Sequence, residues 1–237
     1  MRITIIETGL PPEPLRGDWP DYPAMFRALL GAADGDFGYE TVSVAKGDAL
    51  PDPAKLDGVL ITGSAAGVYD PEPWMASLMS FIQTAAAART PQFGICFGHQ
   101  ALAEALGGKV QKSEKGWGVG RHVYTTPHRP DWMRDAPPSF ALAVSHQDQV
   151  VEQPPETEVT ASSDFTPFAG LAYRAAPAAS FQGHPEFPAA FGAALHDLRR
   201  DRIGDALVDE ALASLAQPLD ASDIGVAMAR FFRQNAG

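Results

Sequence analysis

The chain reads as an α/β fold, a mostly parallel open sheet with helices on both faces, organised as a single domain over residues 1–237. Three observations carry that reading. Short apolar runs, such as Val59-Leu60-Ile61 and Phe93-Gly94-Ile95, have the character of strands buried on both faces. They alternate with longer stretches of helical periodicity. No repeat, low-complexity linker or composition step divides the chain.

The elements follow in order. Residues 3–6 are a first strand, ending at Glu7-Thr8-Gly9, and a loop with Pro11, Pro12, Pro14 and Pro20 leads to a helix over 22–30. Residues 41–45 alternate as a strand, and the run 58–62 is a buried strand stopped by Gly63. A helix over 74–89 has Pro73 near its first turn and Pro91 just past its end. Residues 92–95 form the next strand, and a helix through 102–106 closes at Gly107-Gly108, where glycine caps a C-terminus without steric cost. Beyond Gly108 the texture changes to strands within 109–126, 140–144, 158–160 and 170–173, joined by turns that contain proline. Residues 178–181 are one more buried strand. Helices run from about 188 to the end, with one break near Gln217-Pro218. They are expected to cap the sheet or to form a subunit contact, with Phe231 and Phe232 packed inward.

Composition sets limits on function. Of 237 residues, 45% are hydrophobic and 20% charged, which is globular rather than disordered. The formal net charge of −11 disfavours nucleic acid and anionic membranes as partners. No run of 18 apolar residues exists to span a bilayer. The opening Met1-Arg2-Ile3-Thr4-Ile5-Ile6 lacks the form of a signal peptide, so the expected compartment is cytoplasmic. With one cysteine, Cys96, neither an intrachain disulfide nor a multi-cysteine zinc cluster can form, and no metal is expected.

That cysteine sits in Gly94-Ile95-Cys96-Phe97-Gly98, between a strand and a helix. A Gly-x-nucleophile-x-Gly sequence at such a junction is a nucleophile elbow, tight enough that its flanks must lack side chains. The following helix points its N-terminus at the sulfur and favours a thiolate. The Phe97 N–H is then placed to donate to an oxyanion. A lone cysteine can also be a small buried hydrophobe, and here the flanking glycines favour the nucleophile.

A cysteine nucleophile needs a base. His99 belongs to the helix after Cys96 and packs sideways, and His128 lies in an exposed proline-rich loop. His196 stands beside Asp197 and Arg199 on what reads as a solvated helix face, and His122 lies within a strand with no acid nearby. His184 differs: it follows the strand 178–181 and continues as Pro185-Glu186. Preceding a proline, it should be extended, and side chains two apart then share a face. Glu186 is thus expected beside His184, fixing its tautomer and leaving the other nitrogen for the thiol proton. Gly63, at another strand end in Ile61-Thr62-Gly63-Ser64, offers a second N–H to the oxyanion. Parallel strands place such ends together at the carboxyl edge of the sheet.

On Gly94-Ile95-Cys96-Phe97-Gly98-His99-Gln100, His184-Pro185-Glu186 and Gly63-Ser64, the sequence resembles the class I, triad-type glutamine amidotransferases, over roughly residues 3–187. The resemblance implies their flavodoxin-like fold, with Cys96 as nucleophile, His184 as base and Glu186 as orienting acid. Gly63 and Phe97 are then the oxyanion donors. Ser64, Gln100, Gln147 and Asp148 become contacts to the glutamine, the last two within Ser145-His146-Gln147-Asp148. Many members carry an aromatic residue before His-Pro-Glu, whereas this chain has Gly183.

No Ser-Gly-Gly-x-Asp-Ser, Gly-x4-Gly-Lys-Ser/Thr or Gly-x-Gly-x-x-Gly segment occurs; Gly116, Gly118 and Gly120 have the wrong spacing for the last. No cofactor is therefore expected, and the chain reads as a free-standing amidase domain. With Tyr69-Asp70 and Pro73-Trp74-Met75 it looks most like the GMP-synthase-like branch. The implied activity is hydrolysis of the γ-amide of glutamine to glutamate and ammonia, with a separate synthase subunit as possible partner. The alternatives are a γ-glutamyl peptidase acting on conjugates and a non-catalytic glutamine-binding subunit, the latter disfavoured by the intact Cys96, His184 and Glu186.

Overall fold

The computed structural model describes residues 1–236. The elements in chain order are β1 (Arg2–Glu7), α1 (Tyr22–Ala33), β2 (Gly38–Ser43), β3 (Gly58–Ile61), α2 (Met75–Ala87), β4 (Gln92–Ile95) and α3 (Phe97–Ala105). There follow β5 (Lys109–Lys112), β6 (Gly118–Thr125), β7 (Ser139–His146), β8 (Asp148–Glu152), β9 (Thr157–Ala161), β10 (Gly170–Tyr173) and β11 (Ala178–Phe181). The chain finishes with α4 (Ala189–Leu198), α5 (Arg200–Ile203), α6 (Asp205–Leu215) and α7 (Ala221–Gln234).

A seven-stranded sheet has the order β2-β1-β3-β4-β11-β10-β9. The first five strands run parallel, and β10 pairs antiparallel with both β11 and β9, so the expected mostly parallel open sheet is what forms. Alternating side chains feed two cores, as the two-residue repeat of a strand requires. Ile3, Ile5, Phe93, Ile95 and Phe181 meet α1 and α7, where Phe231 and Phe232 are buried. Ile6, Val59 and Ile61 meet α2 and α3 on the opposite face. Helices thus cover both faces. α1 begins at Asp21, whose Oδ1 accepts from the Ala24 N–H at 2.6 Å.

Several expectations change in detail. The strand expected over 41–45 ends at Ser43, and Val44–Lys46 is a short 3-10 turn closed by Gly47. The helix expected over 74–89 stops at Ala87, and Arg89 has a left-handed φ of 59°. The stretch 109–126 is two strands in different two-stranded sheets, β5 with β8 and β6 with β7. β8 was not expected; Gln147 interrupts what would otherwise be one long strand and turns the chain between two partners.

The C-terminal segment also breaks at Arg199 and at Gly204, whose φ is 99°. This lets α4 and α6 fold over β6 and β7. α6 lies so close to β6 that a methyl on Gly120 would stand 2.8 Å from the Ala211 Cα. His196 is turned inward by that packing. Contrary to the solvated face read from its charged neighbours, it is fully buried, with Nε2 donating to the Val144 carbonyl at 3.0 Å. Periodicity in a short helix does not tell which side meets the protein when a small sheet sits beneath it.

Candidate active site

The parallel strands β1, β3, β4 and β11 end along one edge, and the candidate residues gather there. Cys96 follows β4 directly and precedes α3. Its φ of 54° and ψ of −103° are strained for a residue with a side chain. The turn is held because the Cys96 N–H donates to the Phe181 carbonyl at 2.9 Å and the Gly98 N–H to Thr62 at 3.1 Å. Neither flanking glycine tolerates a side chain. A methyl on Gly94 would overlap the Gly98 carbonyl, and one on Gly98 would overlap the Ile61 carbonyl. The spacing of the motif is thus a backbone requirement.

His184 is anchored by its N–H, which donates to the Ala143 carbonyl at 2.8 Å. The bridge to Ala143 keeps it extended, as its place before proline predicts. The chain then turns at Pro185-Glu186 instead of continuing as a strand. The expected pairing arises through that turn: Nδ1 of His184 lies 2.7 Å from Glu186 Oε1. Phe187 stacks on the imidazole with centroids 3.8 Å apart and planes 9° from parallel, and Tyr22 stacks on Phe187 in turn. Gly63 faces this pair, since a methyl there would stand 3.0 Å from His184 Cε1 and 3.7 Å from Cys96 Cβ. The Phe97 N–H opens α3, where no intrahelical acceptor exists.

Electrostatics separates His184 from the other buried histidines. Burial disfavours its charged form, but the Glu186 carboxylate and the Cys96 sulfur outweigh that and push it up to about 10. His99, by contrast, is pushed by burial down to about 3, with Nδ1 2.8 Å from the Ser180 hydroxyl. Burial also lowers His146 to about 3 and His196 to about 4. His122 is lowered by burial as well and packs edge-on against Phe165. His128 is exposed, as expected, and pairs with Glu158 at 2.6 Å.

A cleft of about 220 Å³ opens over Cys96, and Ser64, Gln100, Gln147 and Asp148 all line it. Three of these are already engaged. The Ser64 hydroxyl donates to the Thr8 carbonyl at 2.8 Å, so its backbone is what remains for a ligand. Gln100 Nε2 donates to the Asp148 carbonyl at 2.9 Å and to Gln182 Oε1 at 3.1 Å. Tyr69 donates its hydroxyl to the Asp148 carboxylate at 2.9 Å.

Sequence reasoning missed Gln182, fully buried, whose Nε2 reaches the Cys96 sulfur at 3.6 Å. Its position directly after β11 was the available signal, since β11 pairs with β4. Also missed were Arg199 and Arg202, which reach the cleft from the C-terminal helices and carry no motif. Gly183, the departure before His-Pro-Glu, is filled from across the sheet: a methyl there would meet Leu142 Cβ at 3.0 Å and Tyr124 Cε2 at 3.3 Å. Among the described residues, no group of three His, Cys, Asp or Glu side chains converges as metal ligands would, and no helix is long and apolar enough to cross a membrane.

The family model for class-I glutamine amidotransferases matches residues 36–192, which include Gly63, Cys96, His184 and Glu186. A glutamine amidotransferase-like protein of Schizosaccharomyces pombe is 27% identical over 198 residues, 78% of this chain and 79% of that one. Gamma-glutamyl peptidase 5 of Arabidopsis thaliana is 32% identical over 138 residues, 56% of this chain, and the chain spans about half of its length, 55%. Among solved structures, a glutamine amidotransferase of Thermotoga maritima superposes with a TM-score of 0.76 at 18% identity, covering 100% of this chain and 98% of that one, a likeness of fold. With two thirds of its length matched by the family model, the chain belongs to the class-I glutamine amidotransferases.

Proposed function

We propose that the chain hydrolyses γ-glutamyl amide bonds, with the γ-amide of glutamine as the simplest case, through a thioester on Cys96. One observation supports the proposal: Cys96 and His184, far apart in the sequence, line one hollow at the sheet edge, and His184 Nδ1 lies 2.7 Å from Glu186 Oε1. The Cys96 thiolate attacks the γ-carbonyl carbon, and the developing oxyanion accepts from the Gly63 and Phe97 N–H groups. The imidazolium of His184 gives its proton to the departing nitrogen as the C–N bond breaks, releasing ammonia or an amine. Water then attacks the thioester, His184 takes its proton, and glutamate leaves as the thiolate and imidazolium are restored. Ser64, Gln100, Gln147 and Asp148 hold the amino-acid end of the substrate.

Two readings of the leaving group follow. Ammonia released from glutamine would serve a synthase held as a separate subunit, a reading supported by the GMP-synthase-like Tyr69-Asp70 and Pro73-Trp74-Met75, of which Tyr69 and Asp70 line the cleft. A γ-glutamyl peptidase activity is supported by the cleft continuing past Cys96 to Trp117, Arg199 and Arg202, further than an amide nitrogen needs. The test is glutamate release from glutamine, glutathione and γ-glutamyl amines by the parent chain and by Cys96→Ala. The parent should turn over at least one compound and the variant none, with an unchanged circular dichroism spectrum. Turnover retained in Cys96→Ala would sink the mechanism.

A further inference from the structure

We infer that Arg199 and Arg202 form a subsite for a carboxylate carried by the departing amine, so that the chain favours γ-glutamyl amides of amino acids or peptides over neutral γ-glutamyl amides. The inference rests on the γ-glutamyl amide reading above and specifies its substrate.

The first argument is charge. In a chain of net charge −11, seven of the thirteen arginines pair with a carboxylate among the described residues. Arg200 pairs with Asp197 at 2.7 Å, Arg230 with Asp135 at 2.5 Å, and Arg233 with Asp34 at 2.6 Å. Arg199 and Arg202 flank Arg200, yet among the described residues neither has a carboxylate oxygen within 4.0 Å. Arg199 is half-buried and donates to the neutral Ser145 hydroxyl at 3.0 Å. Arg202 lies over the Trp117 ring, 5.8 Å from its centroid. A half-buried cation without a counterion is costly, and burial accordingly pulls Arg199 below its ordinary range. An anionic ligand would remove that cost.

The second argument is position. Arg199 lines the cleft over Cys96 and also a small hollow shared with Gly63, Cys96 and His184. The departing nitrogen must lie within reach of His184, which protonates it, so its substituent starts from that hollow. Arg199 is the first cation it meets, and Arg202, three residues on, stands beside it. The γ-glutamyl end carries one amino and one carboxylate group of its own. Lys112 and Asp148, directly opposite each other across β5 and β8, supply one cation and one anion in the same cleft. The arginine pair is surplus to that end of the substrate.

The experiment compares γ-glutamylglycine with γ-glutamylethylamide, which has nearly the same shape and no carboxylate on the amine. Calorimetric titration into Cys96→Ala should show the glycine compound binding about tenfold tighter or more, the yield of a charge-assisted contact. Arg202→Ala in that background should bring the ratio toward one, and this exposed side chain can be removed even where Arg199→Ala disturbs Ser145. Arg199→Lys should lower the ratio too, since an ammonium lacks the planar fork. Equal or undetectable binding of both compounds would overturn the inference. So would arginine variants that weaken both compounds alike, which would place the pair on the γ-glutamyl carboxylate. Glutamate release by the parent chain is scored separately. A binding preference without turnover of either compound would sink the catalytic reading alone, and turnover without a preference would sink the subsite alone.

Discussion

His184 Nδ1 lies 2.7 Å from Glu186 Oε1, with the two side chains 4% and 1% exposed. Glu186 Oε2 has no partner, so the carboxylate spends its interaction on the imidazole. Removing the charge while keeping the shape isolates its contribution. Glu186→Gln should lower kcat for glutamate release by up to about 10⁴, the loss seen when the orienting carboxylate of a serine triad becomes an amide. In the parent, the imidazolium persists until the pH rises through about 10, so activity should fall above that point. In Glu186→Gln the alkaline limb should move down by a unit or more. A profile unchanged in rate and in alkaline limb would remove Glu186 from the mechanism.

The same ring has a signed effect on stability. Its pKa is raised in the fold, so its contribution is complete below pH 6.5 and is lost as pH rises through about 10. His99, His146 and His196 act oppositely, because each is lowered by burial and stays neutral in the fold. The unfolded chain binds their protons first. Stability should therefore fall as pH drops below 6.5, by on the order of 2 kcal/mol for each of the three between pH 7 and pH 5. Urea unfolding at the two pH values measures it, and a flat profile would contradict their burial.

The elbow makes a sharper demand. A methyl on Gly98 would overlap the Ile61 carbonyl and stand 2.9 Å from its carbon, where only backbone can move. Gly98→Ala should cost about 3 kcal/mol or more and displace β3 from β4. A loss under about 1 kcal/mol in urea unfolding would show slack in the turn that the close contacts at Gly94 and Gly98 deny.

Gly183 gives a paired test. Leu142 and Tyr124 occupy the space that a side chain at this position would need. Gly183→Tyr should destabilise the chain by about 2–3 kcal/mol through overpacking. Adding Leu142→Ala, which opens room at the same point, should recover part of the loss. Simple additivity of the two costs would refute the shared space.

Much of the molecule was legible in its sequence. Apolar runs such as Val59-Leu60-Ile61, bounded by Gly58 and Gly63, declare a strand buried on both faces, because they are too short for a buried helix. Gly94 and Gly98 announce the elbow because the requirement is local, a few backbone atoms too close for any Cβ. His184-Pro185-Glu186 likewise carries its own pairing. The segments misread were those whose environment comes from elsewhere. His196 looked solvated beside Asp197, and it is buried because α4 and α6 close over β6 and β7. β8 was hidden because its partner, β5, lies far back in the chain.

The division has a physical basis. Periodicity, glycine sterics and the bias before proline act over a few residues, so the α/β class, the elbow and the His184–Glu186 unit are properties of the sequence itself. The meeting of β3, β4 and β11 at one edge is not local. It follows from parallel pairing, and only that pairing sets Gly63 against His184 and Cys96 and Gln182 against the sulfur. The far wall of the cleft depends on the tertiary structure most of all. Arg199 and Arg202 come from the segment after Pro188 and line the cleft over Cys96 because the chain breaks at Arg199, as α4 packs down on the small sheet.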